Sequence, residues 1–277
     1  MRIVARTLLA VALVASLVGP VWAGGADTTT LECGLFRDYT APEPATSTPG
    51  SITFGVSGTP EVIAADATLV PPADTALPSL QGGAPTALTV VRNGGVITSL
   101  AIAPACTISG TPILVPDLFG PGQDGYVIAD RLFVPVDQVA SNDGLAALIG
   151  TAADTGGTFS VTFDIDLSTG VPSGFTAQTT LVGIVIMLDG GAVQVGAATL
   201  PASVVDDEAR AELETAAELG VETTVVVDGI GTIDPASGGP LIAISLAVTF
   251  AAPAPSTPAP SPVPSLLPNT ALDATGP

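Results

Sequence analysis

One run of hard oxygen ligands in the chain is FDIDLSTG, residues 163 to 170. In an extended segment Asp164, Asp166 and Ser168 alternate, so their oxygens fall on one side, and such ligands suit Ca²⁺. The glycine comes one place late for an EF-hand loop, and no glutamate closes it at the twelfth position. A polar strand face leading into a turn is the plainer reading. Calcium is thus the only cofactor with a candidate ligand set, and no other is expected. Asp154-Thr155-Gly156 matches an aspartic-protease triplet, but that chemistry needs two aspartates sharing a proton, and no second triplet exists. TAADTGG also lacks an apolar lead-in strand, so a turn before a strand is expected there.

With no His and no Lys in 277 residues, Ser-His-Asp, Cys-His and lysine-base mechanisms are excluded, as is a His/Cys zinc cluster. An extracellular carboxylate-dependent hydrolase, such as a glycosidase, is the remaining enzymatic reading. Nothing in the sequence marks its pair of acids. With two Tyr, and with the one Trp at position 22, there is little for a carbohydrate-stacking platform. No catalytic residue is assigned, and the chain is read as non-enzymatic.

Residues 1–23 have the charged, apolar and small-residue order of a secretory signal peptide: Arg2 and Arg6, then TLLAVALVASLV, then Gly19-Pro20 and a cut after Ala23. The apolar run is shorter than the ~20 residues a bilayer span needs. Later apolar runs are short and bounded by turns, so no membrane span is expected in the mature chain. All 26 acidic residues follow the cut, against four arginines, which gives a mature charge of −22. Such a surface repels nucleic acid and anionic lipid. Export takes Cys33 and Cys106, the only cysteines, to an oxidising compartment, where a disulfide is expected. Residues 251–277 carry proline at almost every second or third position as far as Pro264 and read as a disordered tail. Within it LPNTA (Leu267, Pro268, Asn269, Thr270, Ala271) resembles a sortase sorting signal, although LDATGP follows in place of an apolar stretch and basic tail.

The elements that must position these residues recur. GVETTVVVDG (220–229) alternates as a strand, with Val225 and Val227 on one side, and is followed by a Gly/Pro/Ser turn and the strand LIAISLAVTF. Residues 83–103 repeat the layout, with Leu88 and Val90 at the valine positions and a hairpin signal at RNGG, where Asn93-Gly94 suits positive φ. Residues 156–181 form a third version, with Val161 and Phe163 inward. Phe159, Phe163 and Phe175 read as core, Tyr39 as a strand-end packing residue, and Arg37 and Arg92 as partners in solvated ion pairs. Upstream segments correspond too: Gly34 matches Gly183, and SITFG matches AVQVG. Before the fourth strand come a helix at 206–219, a short helix in NDGLAALIG, and a loop in PPADTALPSLQ.

Each unit therefore reads β-β-β-(α)-β-β, the order of an OB-type five-stranded barrel. VGIVIM, GAVQVG, LGVETTVVVDG and GPLIAISL, in residues 181–250, resemble small OB-like domain-of-unknown-function repeats of exported bacterial proteins. That family supplies no catalytic residues. The fold class expected is all-β: three tandem OB-like barrels at 24–106, 107–180 and 181–250. A disulfide from Cys33 to Cys106 would tie the first barrel at its two ends. Sandwiches in which strands of different units pair are the competing architecture. The chain is expected to be secreted or displayed on a bacterial surface, where it binds an extracellular or cell-wall partner.

Overall fold

In a computed structural model of the protein, residues 26–80, 82–233 and 240–251 are described. The segment expected to be a signal, with its expected cut after Ala23, and the residues 252–277 that hold Leu267 to Ala271 lie outside them. Alternating apolar residues build the first five strands: β1 (Thr28–Thr40), β2 (Gly50–Phe54), β3 (Glu61–Leu69), β4 (Pro85–Asn93) and β5 (Val96–Ile102). They close into a barrel in the order β1-β2-β3-β5-β4. The closing seam is the parallel β3–β5 pair, in which Ile63 lies beside Ile97 and Leu69 beside Leu100. Ile63, Leu88, Ile97 and Leu100 fill the interior and are fully buried.

Two local expectations shift here. PPADTALPSLQ is not a plain loop: it holds a single helical turn, α1 (Ala73–Ala76), and a 3₁₀ turn at Leu77–Ser79, because Ala73, Ala76 and Leu77 share a buried face. In the β4–β5 hairpin the left-handed pair is Gly94 (φ 59°) and Gly95 (φ 85°), one residue later than expected. Two adjacent glycines take both positions without a Cβ penalty, which leaves Asn93 in the ladder opposite Val96.

The chain continues through β6 (Ala105–Gly110), β7 (Ile113–Val115), β8 (Gly125–Ile128) and β9 (Leu132–Pro135). A helical run follows, composed of α2 (Val136–Ser141), α3 (Asp143–Leu145), a π turn at Ala146–Gly150 and α4 (Thr151–Thr155). This run is longer than the short helix expected, and it breaks only at Asn142, where the backbone is extended. Asp154 lies in α4 and not in a turn before a strand; Gly156 (φ 67°) ends the helix. Next come β10 (Phe159–Ile165) and β11 (Pro172–Met187), then β12 (Val193–Val195) and β13 (Ala198–Leu200). The expected helix at 206–219 is α5 (Asp207–Leu219), capped by Asp206, with Ala209, Leu213 and Ala216 buried. The long strands β14 (Glu222–Ile233) and β15 (Pro240–Phe250) complete the fold.

Where three barrels were expected, one closed barrel is present among the described residues, and it belongs to β1–β5. The later strands form a seven-stranded sheet, β13-β12-β11-β10-β6, in which β14 also pairs β11 and β15; β7, β8 and β9 make a small separate sheet. β11 runs straight across the expected unit boundary at 180/181, and β14 pairs with both halves of it, from Phe175–Gly231 to Ile184–Glu222. Strand length accounts for the difference. β3 has nine residues to lay beside β5, whereas β13 has three and is followed by Pro201, and β9 has four and ends in Pro135. Proline lacks the N–H a ladder needs, so neither short strand extends into a closing pair.

Barrel and sheet are joined closely. Only Ala103 and Pro104 separate β5 from β6, and one continuous hydrophobic cluster spans both parts. The disulfide forms between Cys33 and Cys106, with Cα atoms 5.6 Å apart. It does not tie the barrel's two ends: Cys33 lies within β1 and Cys106 in β6, so the bridge pins the barrel to the sheet. The β8–β9 turn docks on the barrel as well, where Val56 N–H donates to Asp130 O (2.8 Å) and Leu35 N–H to Arg131 O (2.6 Å). A Cβ at Gly34 would stand 2.7 Å from Arg131 O, so this approach requires glycine.

Candidate functional site

The residues singled out for calcium do not converge on a ligand cage. Asp164 is exposed on β10, and Asp166 begins the turn that follows. The Asp166 Oδ1 accepts from both Ser168 N–H (2.8 Å) and Ser168 Oγ–H (2.6 Å), closing a local Asx turn. The Ser168 hydroxyl, followed by the Ser168 N–H, holds the Asp166 carboxyl below the usual carboxylate range. Among the described residues no three His, Cys, Asp or Glu side chains gather as a metal-holding group. No helix among them is long and apolar enough to cross a membrane.

A different place brings polar groups together. On the side of β15 that corresponds to the β3–β5 seam of the barrel, no strand pairs among the described residues, and a cleft of about 460 Å³ opens. One wall is Ser203, Val204 and Asp206, in the segment after β13; the other is Ser141 to Gly144, at the helix break. Ile242 and Ile244 of β15 form an apolar floor. Local chain chemistry positions each polar group. Asp206 Oδ1 accepts Ala209 N–H (2.8 Å) and so caps α5. Asn142 Oδ1 accepts Leu145 N–H (3.0 Å), while its Nδ2 donates to Pro240 O (3.3 Å), fastening the helix break to the start of β15. Ser203 Oγ–H donates to Asp143 Oδ2 across the cleft.

The cleft thus offers carboxylate and hydroxyl oxygens over an apolar floor, with no basic group in its lining. All four arginines that follow Ala23 are engaged elsewhere. Arg92 bridges Glu32 (3.1 Å) and Glu61 (2.7 Å), and Arg131 meets Glu32 at 3.2 Å. Arg37 donates to Val56 O (2.8 Å) and lies 5.9 Å from the Phe119 ring centroid; Arg210 donates to Gly191 O (3.0 Å). The site suits neutral or cationic groups and disfavours anions.

Sequence reasoning placed both acidic helix starts, NDGLAALIG and DDEARAELETAAEL, but not their meeting. Asp143 and Ser203 stand 60 positions apart, and only the fold brings them into contact. Tyr39 packs half-buried against the core, as a strand residue should. Phe159, Phe163 and Phe175 are buried. No protein-family model matches this chain, and no curated protein matches its sequence significantly.

Proposed function

We propose that the protein is an exported, non-enzymatic binding module, built from three OB-like units and either secreted or displayed at the bacterial surface. In this reading the signal is cut after Ala23, and a displayed form would be attached through the LPNTA segment. Strand order supports the division into units. The path β13-β12-β11-β14-β15 keeps the third-second-first-fourth-fifth order of β3-β2-β1-β4-β5. In the middle unit β6 and β10 pair as β1 and β4 do. Gly83, Gly156 and Gly220, aligned in the sequence, all have positive φ just ahead of the fourth strand. This is also what supports kinship with OB-like repeats of exported proteins.

One observation carries the binding reading: the seam that is closed in the first unit is open in the third, and the opening is lined with oriented polar groups. Asp206 is occupied as a helix cap and Asp143 as a hydroxyl acceptor, roles that hold a ligand better than they shuttle protons. The ligand class that fits is polar and uncharged or cationic, such as a cell-wall glycan. Incubation of the mature protein with purified cell-wall glycan tests this. Retention of intact glycan, lost in Asp143→Ala, is the expected result. Reducing ends released by the wild type and not by Asp143→Asn would replace this reading with a carboxylate-dependent hydrolase, since two acids do line one cleft.

A further inference from the structure

From the free edge of β15 we infer that the protein forms a two-fold dimer by antiparallel pairing of β15 with β15 of a second copy. β15 is hydrogen-bonded to β14 on one side, and among the described residues no strand pairs with its other side. The β14–β15 ladder runs without a register shift from Thr223–Phe250 to Ile233–Pro240, so no bulge bends the edge away. The strand holds no charged residue, and its single proline stands at its first position. Sheet edges normally carry charges, bulges or proline that block further pairing. Here those devices are missing over ten residues, in a chain that is otherwise strongly acidic.

The occupant follows from the side-chain pattern and from the chain's own precedent. Asn142 covers Pro240 O, so the free edge begins at Leu241. A two-fold axis at Ser245 sets Ile242 opposite Val248 of the second copy and Ile244 opposite Leu246, on the side facing the core. On the outer side Ala243 meets Ala247, Leu241 meets Thr249, and Ser245 meets itself. Four of the five pairs match in polarity and closely in size, Leu241 with Thr249 being the exception at the ends, and sidedness is kept throughout. Within the chain, the fifth strand of the middle unit is already covered in this way: β14 of the next unit lies antiparallel along β11. β15 is the fifth strand of the last unit, and a second copy supplies the cover its own chain lacks. Two acidic molecules can approach along this uncharged strip, which predicts that dimerisation strengthens as salt screens the rest of the surface.

Ile242 and Ile244 also floor the cleft, so a second copy and a ligand meet at the same edge; the assembly is therefore measured without glycan, and its failure leaves the glycan test of the cleft standing. Sedimentation equilibrium on the full mature chain should give twice the chain mass, with more dimer at higher salt. Ala243→Glu combined with Ala247→Glu sets like carboxylates face to face across the axis, on positions already exposed to solvent. It should yield a monomer with an unchanged circular dichroism spectrum. Ser245→Cys should crosslink to itself under mild oxidation, because its counterpart lies directly opposite; Ala243→Cys should not. A wild-type monomer at all concentrations overturns the inference, as does a dimer that survives the double glutamate variant. A dimer in which Ser245→Cys fails to crosslink overturns the two-fold pairing.

Discussion

Ser57 and Asp130, 73 residues apart, are joined twice: the Ser57 N–H donates to Asp130 Oδ1 at 2.9 Å and the Ser57 hydroxyl to Oδ2 at 2.8 Å. Asp130 stands at φ 57°, in the left-handed turn between β8 and β9, and this bond pair holds the turn on the barrel. Asp130→Ala removes both bonds and the polar side chain that makes aspartate more tolerant than alanine of that φ, so it should destabilise by about 1–3 kcal/mol. Asp130→Asn keeps the left-handed tolerance and one acceptor, and should cost less. Urea denaturation of the two variants checks the order; equal stabilities would mean the turn is held by backbone bonds alone.

The same joint carries the disulfide. A crosslink spanning 73 positions stabilises by about 4 kcal/mol in the chain-entropy model. Because Cys33 and Cys106 connect the barrel to the open sheet, the Cys33→Ala, Cys106→Ala pair should lower the denaturation midpoint of both parts together. Two separate transitions in that variant would show that the bridge, and not the shared core, couples them.

How far the sequence could be read depends on the range of the interaction. Val225, Val227, Leu88, Val90, Val161 and Phe163 are all buried, because period-two alternation is set within each strand. The α5 start at Asp206 was legible for the same reason: a cap acts within one turn. The boundary at 180/181 was not legible, since β11 keeps its alternation straight through it and only its partner β14 reveals that the strand is shared. The open seam had a local signature in Pro201, but proline after three strand residues marks where a strand stops, not what the missing length would have paired with. The cleft depended on that non-local fact, and so did the meeting of Asp143 with Ser203.

Tyr39 links burial to pH. Its hydroxyl is buried with no hydrogen-bond partner among the described residues, and burial, with the nearby Asp74 carboxylate adding to it, pushes its pKa above the ordinary 10. A raised native value means that the folded state binds this proton more tightly than the unfolded chain does. The contribution is fully present below pH 10 and is lost as pH rises through the raised native value. Wild-type stability should therefore fall faster than that of Tyr39→Phe above pH 10. At neutral pH, Tyr39→Phe should be as stable as wild type or more so by up to about 1 kcal/mol, because it deletes an unpaired polar atom. Stability measured against pH for both chains decides this; parallel curves would place the hydroxyl in contact with water.

Asp166 gives the opposite sign. The Ser168 hydroxyl and N–H hold its carboxyl below the usual range, so its contribution is present above the ordinary carboxylate value and is lost as pH falls through the lowered native one. Ser168→Ala removes the hydroxyl bond, and the Asp166 titration midpoint, followed by carboxyl ¹³C NMR, should move back up toward the ordinary value. The same spectra test calcium. Both Ser168 donors already occupy Oδ1, so a cation there would have to displace them, and added Ca²⁺ should leave the Asp166 and Ser168 resonances in place. A saturable shift that Asp164→Asn abolishes would establish instead that Asp164, Asp166 and Ser168 act together as a calcium site, and the Asx turn would then be its resting form.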